Sequence, residues 1–383
     1  MRKVYLDNAA TTELRQEVID KMVAVLKEDY GNPSSTHGYG RSAKNYIEQA
    51  RKNIAKSLGV KASEIIFTSG GTEADNLALN SAVRDLGVKH IITSKIEHHA
   101  VLHTVQELAM YCGVTVSYVK INRDGSVDYD HLESLLKNST DKTLISLMYV
   151  NNEIGTILDV EKVGDLSREY NALFHCDMVQ AIGHYEVNLS KLNVDFTAAS
   201  AHKFHGPKGV GFSYVRKNSG LKPLIFGGSQ ERGIRGGTEC VHNIVGMDEA
   251  LRITNEKLAE EKAYVLELKQ HFIDTLKNNI EGIKFNAKCD DPSHSTYNLL
   301  NVNIPISEDK REILLFHLDI NGVACSKGSA CQSGSSKGSH VLVEVLDEAD
   351  LCNPSVRFSF SIFNTKEEIE YVVSVLQKII SGA

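Results

Sequence analysis

Ser200-Ala201-His202-Lys203-Phe204-His205-Gly206-Pro207-Lys208-Gly209-Val210-Gly211-Phe212 is the stretch on which the fold reading turns. An apolar run from Asp195 to Ala201 leads into it, and Gly206-Pro207 breaks it. Apolar runs closed by turn residues read as buried strands. Lys203 therefore stands at a strand end, between two histidines. A lysine delivered by a buried strand into a polar pocket can form a Schiff base, because desolvation lowers its pKa and frees the amine. A strand-end lysine snorkelling to water is the commoner arrangement. The motifs around it decide between the two.

On the N-terminal side, the short β-branched run Ile65 to Thr68 is followed by Ser69-Gly70-Gly71-Thr72-Glu73 and a helical pattern through Leu77 and Ala78. Strand, glycines, then helix start is an anion-binding design: glycines admit a phosphate to the backbone, and free N–H groups at the helix end hold it. A plain strand–helix connection would look the same in isolation. Neither the dinucleotide fingerprint nor a Gly-Lys-Ser/Thr phosphate loop is present. Strand-like runs recur at His90 to Thr93, Val114 to Ile121, Thr143 to Val150 and Ala172 to His175, with helical segments between, and Val210 to Val215 reads as a hairpin partner of the Lys203 strand. Before them, Ala43, Ile47, Ala50, Ile54 and Leu58 make a helical stripe closed by Gly59. The expected fold is α/β, a mostly parallel sheet with helices on both faces. Ligands gather at the carboxyl ends of such strands, and His98, Asn152, Asp177 and Lys203 all fall there.

Past Ile244 the pattern changes to a long amphipathic helix reaching Leu276, read as a strut between a large domain and a smaller α+β one. The expected division is 1–250, with an N-terminal segment free to join the small domain, and 251–383. The tail adds a strand over Tyr297 to Ile304, a helix over Lys310 to Asn321, a Gly-Ser-rich stretch from Ser326 to Ser339, a strand over Val356 to Ser361 and a last helix from Thr365.

The 383 residues carry a formal charge of −7 and 42% hydrophobic content. No basic excess is available to neutralise phosphates, which argues against nucleic acid. No signal-like segment or membrane-length apolar run occurs, so a soluble, cytoplasmic protein is expected. Seven scattered cysteines with no C-x-x-C pair argue against a disulfide framework and against a metal site. Most of them are expected to be buried packing residues.

Pyridoxal phosphate needs a lysine for its Schiff base, a carboxylate to keep the pyridine nitrogen protonated, and an anion cradle. Lys203, Asp177 and Ser69 to Thr72 provide these. With Tyr5-Leu6-Asp7-Asn8-Ala9-Ala10-Thr11-Thr12, Gly31-Asn32-Pro33-Ser34-Ser35, Glu97-His98, Val150-Asn151-Asn152-Glu153-Ile154-Gly155, Arg235-Gly236-Gly237-Thr238 and Gly328-Ser329-Ala330-Cys331 in that order, the chain resembles the cysteine desulfurases of the NifS/IscS kind, in the aminotransferase-like class V group.

The resemblance implies conversion of L-cysteine to L-alanine, with the sulfur passed to Cys331 as a persulfide and on to an acceptor or iron–sulfur scaffold protein. It implies that Lys203 binds the cofactor and moves the proton at Cα, that His98 stacks on the ring and takes part in acid–base steps, and that Asp177 and Gln180 meet the pyridine nitrogen and ring hydroxyl. Gly71, Thr72, Ser200 and His202 hold the phosphate, joined by Thr238 from the partner in a homodimer. Asn152 positions the cofactor, and Arg357 and Asn32 bind the substrate. A Gly-Ser-rich loop offers Cys331 the freedom to approach the substrate sulfur and withdraw. Cys325 nearby is expected to be packing rather than a relay thiol. A selenocysteine lyase or small-substrate aminotransferase of the same fold, and a catalytically silent assembly scaffold, are the rival readings. Transamination needs no thiol, and a scaffold needs no cofactor residues.

Overall fold

The computed structural model describes residues 2–328 and 338–382. β1 (Val4–Tyr5) comes first. The β-branched and apolar runs then supply β2 (Ile65–Thr68), β3 (His90–Thr93), β4 (Thr115–Tyr118) and β5 (Thr143–Ser146). They continue as β6 (Leu173–Asp177), β7 (Phe196–Ser200) and β8 (Gly211–Val215). The last four are β9 (Lys284–Phe285), β10 (Leu299–Asn303), β11 (Val323–Ala324) and β12 (Ser355–Ser359).

The helices are α1 (Gln16–Glu28), α2 (Gly38–Ser57), α3 (Gly71–Arg84), α4 (His99–Cys112), α5 (Tyr129–Lys137) and α6 (Val160–Glu169). They continue with α7 (Val241–Asn279), α8 (Leu314–Ile320), α9 (Leu342–Val345), α10 (Glu348–Leu351) and α11 (Lys366–Ser381). Thr365 starts α11 with a capping box, its hydroxyl on the Glu368 N–H and the Glu368 carboxyl on its own N–H.

The large sheet has seven strands in the order β2-β8-β7-β6-β5-β3-β4. β8 is antiparallel to both β2 and β7, and the other pairs in this sheet are parallel. Val210 to Val215 is thus the hairpin partner expected of the Lys203 strand. The parallel strands β3, β5, β6 and β7 are buried on both faces, which is why they read as continuous apolar runs, while the edge strand β4 is only partly covered. In α2 the expected stripe Ala43, Ile47, Ala50, Ile54 is buried against this core.

A second, antiparallel sheet runs β12-β10-β9, and β1 pairs in parallel with β11 beside it. α7 feeds two cores. Ile244, Met247, Ala250 and Leu251 pack with the large sheet, while Val265, Leu268, Phe272 and Leu276 pack with the small one. Residue 251 lies inside this continuous helix.

Three expectations need correction. The 310–321 helix is shorter, Leu314–Ile320, after a 3-10 turn at Glu308–Lys310. The expected strand from Thr143 stops at Ser146, because the chain turns to set Met148 and Asn152 in the wall of the cavity described below. The cysteines are also less buried than expected: among the described ones Cys176 and Cys289 are buried, Cys325 is intermediate, and Cys112, Cys240 and Cys352 are exposed.

Candidate active site

β7 ends at Ser200 and a 3-10 turn over Ala201–Lys203 carries the lysine into a cavity of about 210 Å³. Lys203 Nζ donates to the carbonyls of Ala9 and Ala10 at 2.7 and 2.9 Å. Its own carbonyl accepts from His184 Nε2 at 2.9 Å, and His184 Nδ1 meets the Tyr297 hydroxyl at 2.9 Å. The lysine is therefore held both at its Nζ and at its own carbonyl.

The other walls come from strand ends, as the parallel sheet requires. Asp177 closes β6, with Oδ1 accepting from the Val179 N–H at 2.9 Å. Burial lifts its carboxyl to about 6, against the opposing pull of that N–H and of Lys203. Gln180, one turn on, donates to the Ala9 carbonyl at 2.9 Å. His98 caps α4, its Nδ1 accepting from the Ala100 N–H at 3.2 Å. Burial, then Lys203 and the neighbouring histidines, holds it down to about 4, so at neutral pH the ring is uncharged. Asn152 and Arg357 complete the wall.

At the other end Gly71, Thr72, Ser200 and His202 face the same cavity. α3 starts at Gly71, so its first N–H groups have no helical partner and point to this wall. A Cβ at 71 would come within 2.5 Å of Val179 Cγ2, so glycine keeps the backbone close. Glu73 accepts from the Ser69 N–H at 2.9 Å and from Arg235 Nε at 3.0 Å. Burial works to raise its pKa, but these bonds outweigh it and hold the carboxyl below its usual range. The Arg235-Gly236-Gly237-Thr238 segment is tied in this way to the helix start.

Pyridoxal phosphate fits these residues. An aldehyde would meet Lys203, a ring nitrogen would meet a buried carboxyl, and a phosphate would meet unpaired N–H groups and His202, whose Nδ1 has no hydrogen-bond partner among the described residues.

Not every expected residue converges here. Thr238 is exposed and does not line this chain's cavity. Asn32 is also exposed, its Oδ1 accepting from the Ser34 N–H at 2.9 Å within its own turn. Cys331 lies outside the described residues. Burial pushes the Cys325 thiol up to about 12, which suits packing rather than thiolate chemistry. A larger cleft, about 710 Å³, opens between Tyr149, Tyr185 and Leu251, but it holds none of the expected site residues. Convergence of chemistry, not size, marks the site.

Sequence reasoning gave no role to Asp7 or Asp75. Arg357 Nη2 pairs with Asp7 Oδ1 at 2.8 Å, and Nη1 donates to the Asn152 carbonyl at 2.8 Å. Asp75 lines the cavity, fully buried, with His175 Nε2 3.3 Å from its Oδ1. Its place one turn after Thr72 on α3 was the available signal.

The family profile described as "Aminotransferase class-V" matches residues 4–372. A curated protein named "Cysteine desulfurase IscS" from Dictyoglomus turgidum is 44% identical, covering 99% of this chain and 95% of that protein. "Putative cysteine desulfurase IscS 1" of Bacillus subtilis is 41% identical over 99% of this chain and 100% of its own. A solved structure titled "NIFS-LIKE PROTEIN" superposes with a TM-score of 0.90 at 38% identity, covering 100% of both chains. Another, "SspA in complex with cysteine", gives 0.80 at 32% identity over 94% of this chain and 99% of that one.

Proposed function

We propose, since this chain belongs to the aminotransferase class-V family, that it is the pyridoxal-phosphate-dependent cysteine desulfurase its relatives are named for. It converts L-cysteine to L-alanine and sets the sulfur on Cys331, for delivery to an acceptor such as an iron–sulfur scaffold. The observation that carries this reading is the meeting of Lys203, Asp177, His98 and the α3 cradle in one cavity with Arg357.

Bound pyridoxal phosphate supplies an electron sink for the substrate's Cα. The chain's own residues do the rest. Asp177, ionised above about 6, would face the ring nitrogen with a buried carboxylate and so keep a proton there. Lys203, steered by the Ala9 and Ala10 carbonyls, moves the proton at Cα. His98, uncharged at neutral pH, covers the ring and can accept a proton. Arg357 presents a guanidinium to the substrate carboxylate, suited to two-point binding. The Cys331 thiolate attacks the substrate sulfur: an S–S bond forms, the C–S bond breaks, and the carbon keeps the bonding electron pair. Protonation of that carbon gives alanine, and Cys331 keeps the sulfur as a persulfide.

Thr238, exposed and outside the lining of its own cavity, follows the Arg235 that is tied to Glu73 and is assigned to the partner's phosphate in a homodimer. The two cores joined by α7 correspond to a large cofactor domain and a small domain with the Cys331 segment. Among the described residues no helix is long and apolar enough to cross a membrane.

The direct test is to supply the purified holoenzyme with L-cysteine and measure alanine and sulfide under a reducing agent. Equal amounts are expected, and Lys203→Ala should lose both products with the cofactor's absorbance band. Alanine formed from pyruvate and an amino donor, with no sulfide from cysteine, would favour the aminotransferase reading instead.

A further inference from the structure

Glu153 is a fully buried carboxyl in the turn beside Asn152, with no role in the chemistry above. Ser339 Oγ donates to its Oε2. The N–H groups of Val341 and Leu342 donate to that same Oγ at 3.2 and 3.1 Å, so the hydroxyl is held by the start of α9. From the other side, Gly328 lies so near that a Cβ there would come within 2.9 Å of Oε2. Glu153 Oε1 faces His340 Nδ1 at 4.0 Å, while His340 Nε2 donates to the Glu97 carbonyl at 2.9 Å. One carboxyl thus bonds Ser339 and lies beside Gly328, two described residues on either side of the stretch that contains Cys331.

The same turn is tied to the substrate side. Arg357 Nη1 holds the Asn152 carbonyl, and Arg357 and Ser326 exchange backbone hydrogen bonds of 2.7 and 3.2 Å. Cys331 is three residues beyond Gly328 in the sequence, so Gly328 and Ser339 are described residues that tether the stretch containing it. An apolar side chain of similar volume would serve packing as well or better than a buried carboxyl. The carboxyl is explained by what it grips.

We propose that Glu153 is a positioning residue for the sulfur-transfer step, fixing the roots of the Cys331 segment against the turn that carries Asn152 and meets Arg357. The inference rests on the reading that Cys331 accepts the sulfur. Glu153 itself exchanges no proton or electron with the substrate.

The test compares holoenzymes of the wild type, Ser339→Ala, Ser339→Thr and Glu153→Gln in a single turnover with L-cysteine. The absorbance of the bound cofactor and its change on adding cysteine should be those of the wild type in all four, which reports an intact cavity. Persulfide on Cys331, followed by mass spectrometry, should appear about tenfold more slowly in Ser339→Ala and Glu153→Gln, with KM changed less than about twofold. Ser339→Thr, which restores the hydroxyl, should recover the rate. Persulfide formation within twofold of wild type in both slow candidates would overturn the proposal, as would an equal loss of the cofactor's response to cysteine. If the wild type itself puts no sulfur on Cys331, the reading of Cys331 fails and takes the inference with it. If only the variants behave normally, the inference alone fails.

Discussion

Arg357 enters the cavity with its Nη2 on Asp7 and its Nη1 on the Asn152 carbonyl, and it is 1% exposed. A guanidinium so placed is aimed, because both bonds fix the plane of the fork before a substrate carboxylate arrives. Asp7→Asn removes the charge and keeps the shape. It should raise KM for cysteine by about tenfold, near 1.4 kcal/mol, with kcat and cofactor absorbance little changed. Steady-state kinetics checks this, and an unchanged KM would show that Arg357 is positioned without Asp7. That Lys203, Asp177 and His98 share one cavity was legible in the sequence, because each stands at or just past a strand end within a recognisable motif. The Asp7–Arg357 pair was not, because its members are 350 positions apart and meet only through the tertiary pairing of residues 6–9 with Ser359.

The element that makes the site is the junction of β2, β8 and α3. Gly211 opens β8, and a Cβ there would come within 2.2 Å of the Ala199 carbonyl and 2.8 Å of Gly70 Cα. Neither atom can yield, since both are backbone of the strand and turn that position Ser200 and the start of α3. Gly211→Ala should lower stability by about 2 kcal/mol and weaken pyridoxal phosphate binding at least about tenfold by displacing the cradle. Cofactor titration by fluorescence measures the second effect, and wild-type affinity would contradict it. Periodicity located most of the elements, because burial on both faces produces unbroken apolar runs in β5, β6 and β7. It overran the end of β5, where the Asn151 side chain is held by the Glu153 and Ile154 N–H groups of the turn and by the Ile96 carbonyl rather than by a sheet ladder. It also could not show that β1 joins β11, a contact between chain ends.

Across the whole molecule, buried ionisable groups set how stability responds to pH. Burial, ahead of nearby positive charge, holds His98 and His202 at about 4. Burial likewise holds His184 and His205 there. Their ordinary value is 6.5, so they cost stability as pH falls from about 6.5 to 4. Glu97 acts in the opposite sense. Burial raises it from 4.5 to about 8, so the folded chain keeps a proton that the unfolded chain sheds, and stability falls as pH rises through that window. Above about pH 7.5 those histidines are nearly uncharged in both states, leaving Glu97 a slope of up to about 1.4 kcal/mol per pH unit. Asp75, also pushed well up by burial, adds to it. Glu97→Gln should flatten the fall in the urea midpoint over this range by about one proton's worth, and an unchanged slope would place the charge elsewhere. The turn that sets Asn152 in the cavity wall also carries Glu153, and the proposed function requires the substrate's sulfur to pass to Cys331. The most direct measurement is the mass of the Cys331 peptide after the holoenzyme meets L-cysteine without a reductant. One additional sulfur is predicted on the wild type and none on Cys331→Ala, which should still bind the cofactor and cysteine but form no alanine; normal alanine and sulfide production by Cys331→Ala would contradict the account.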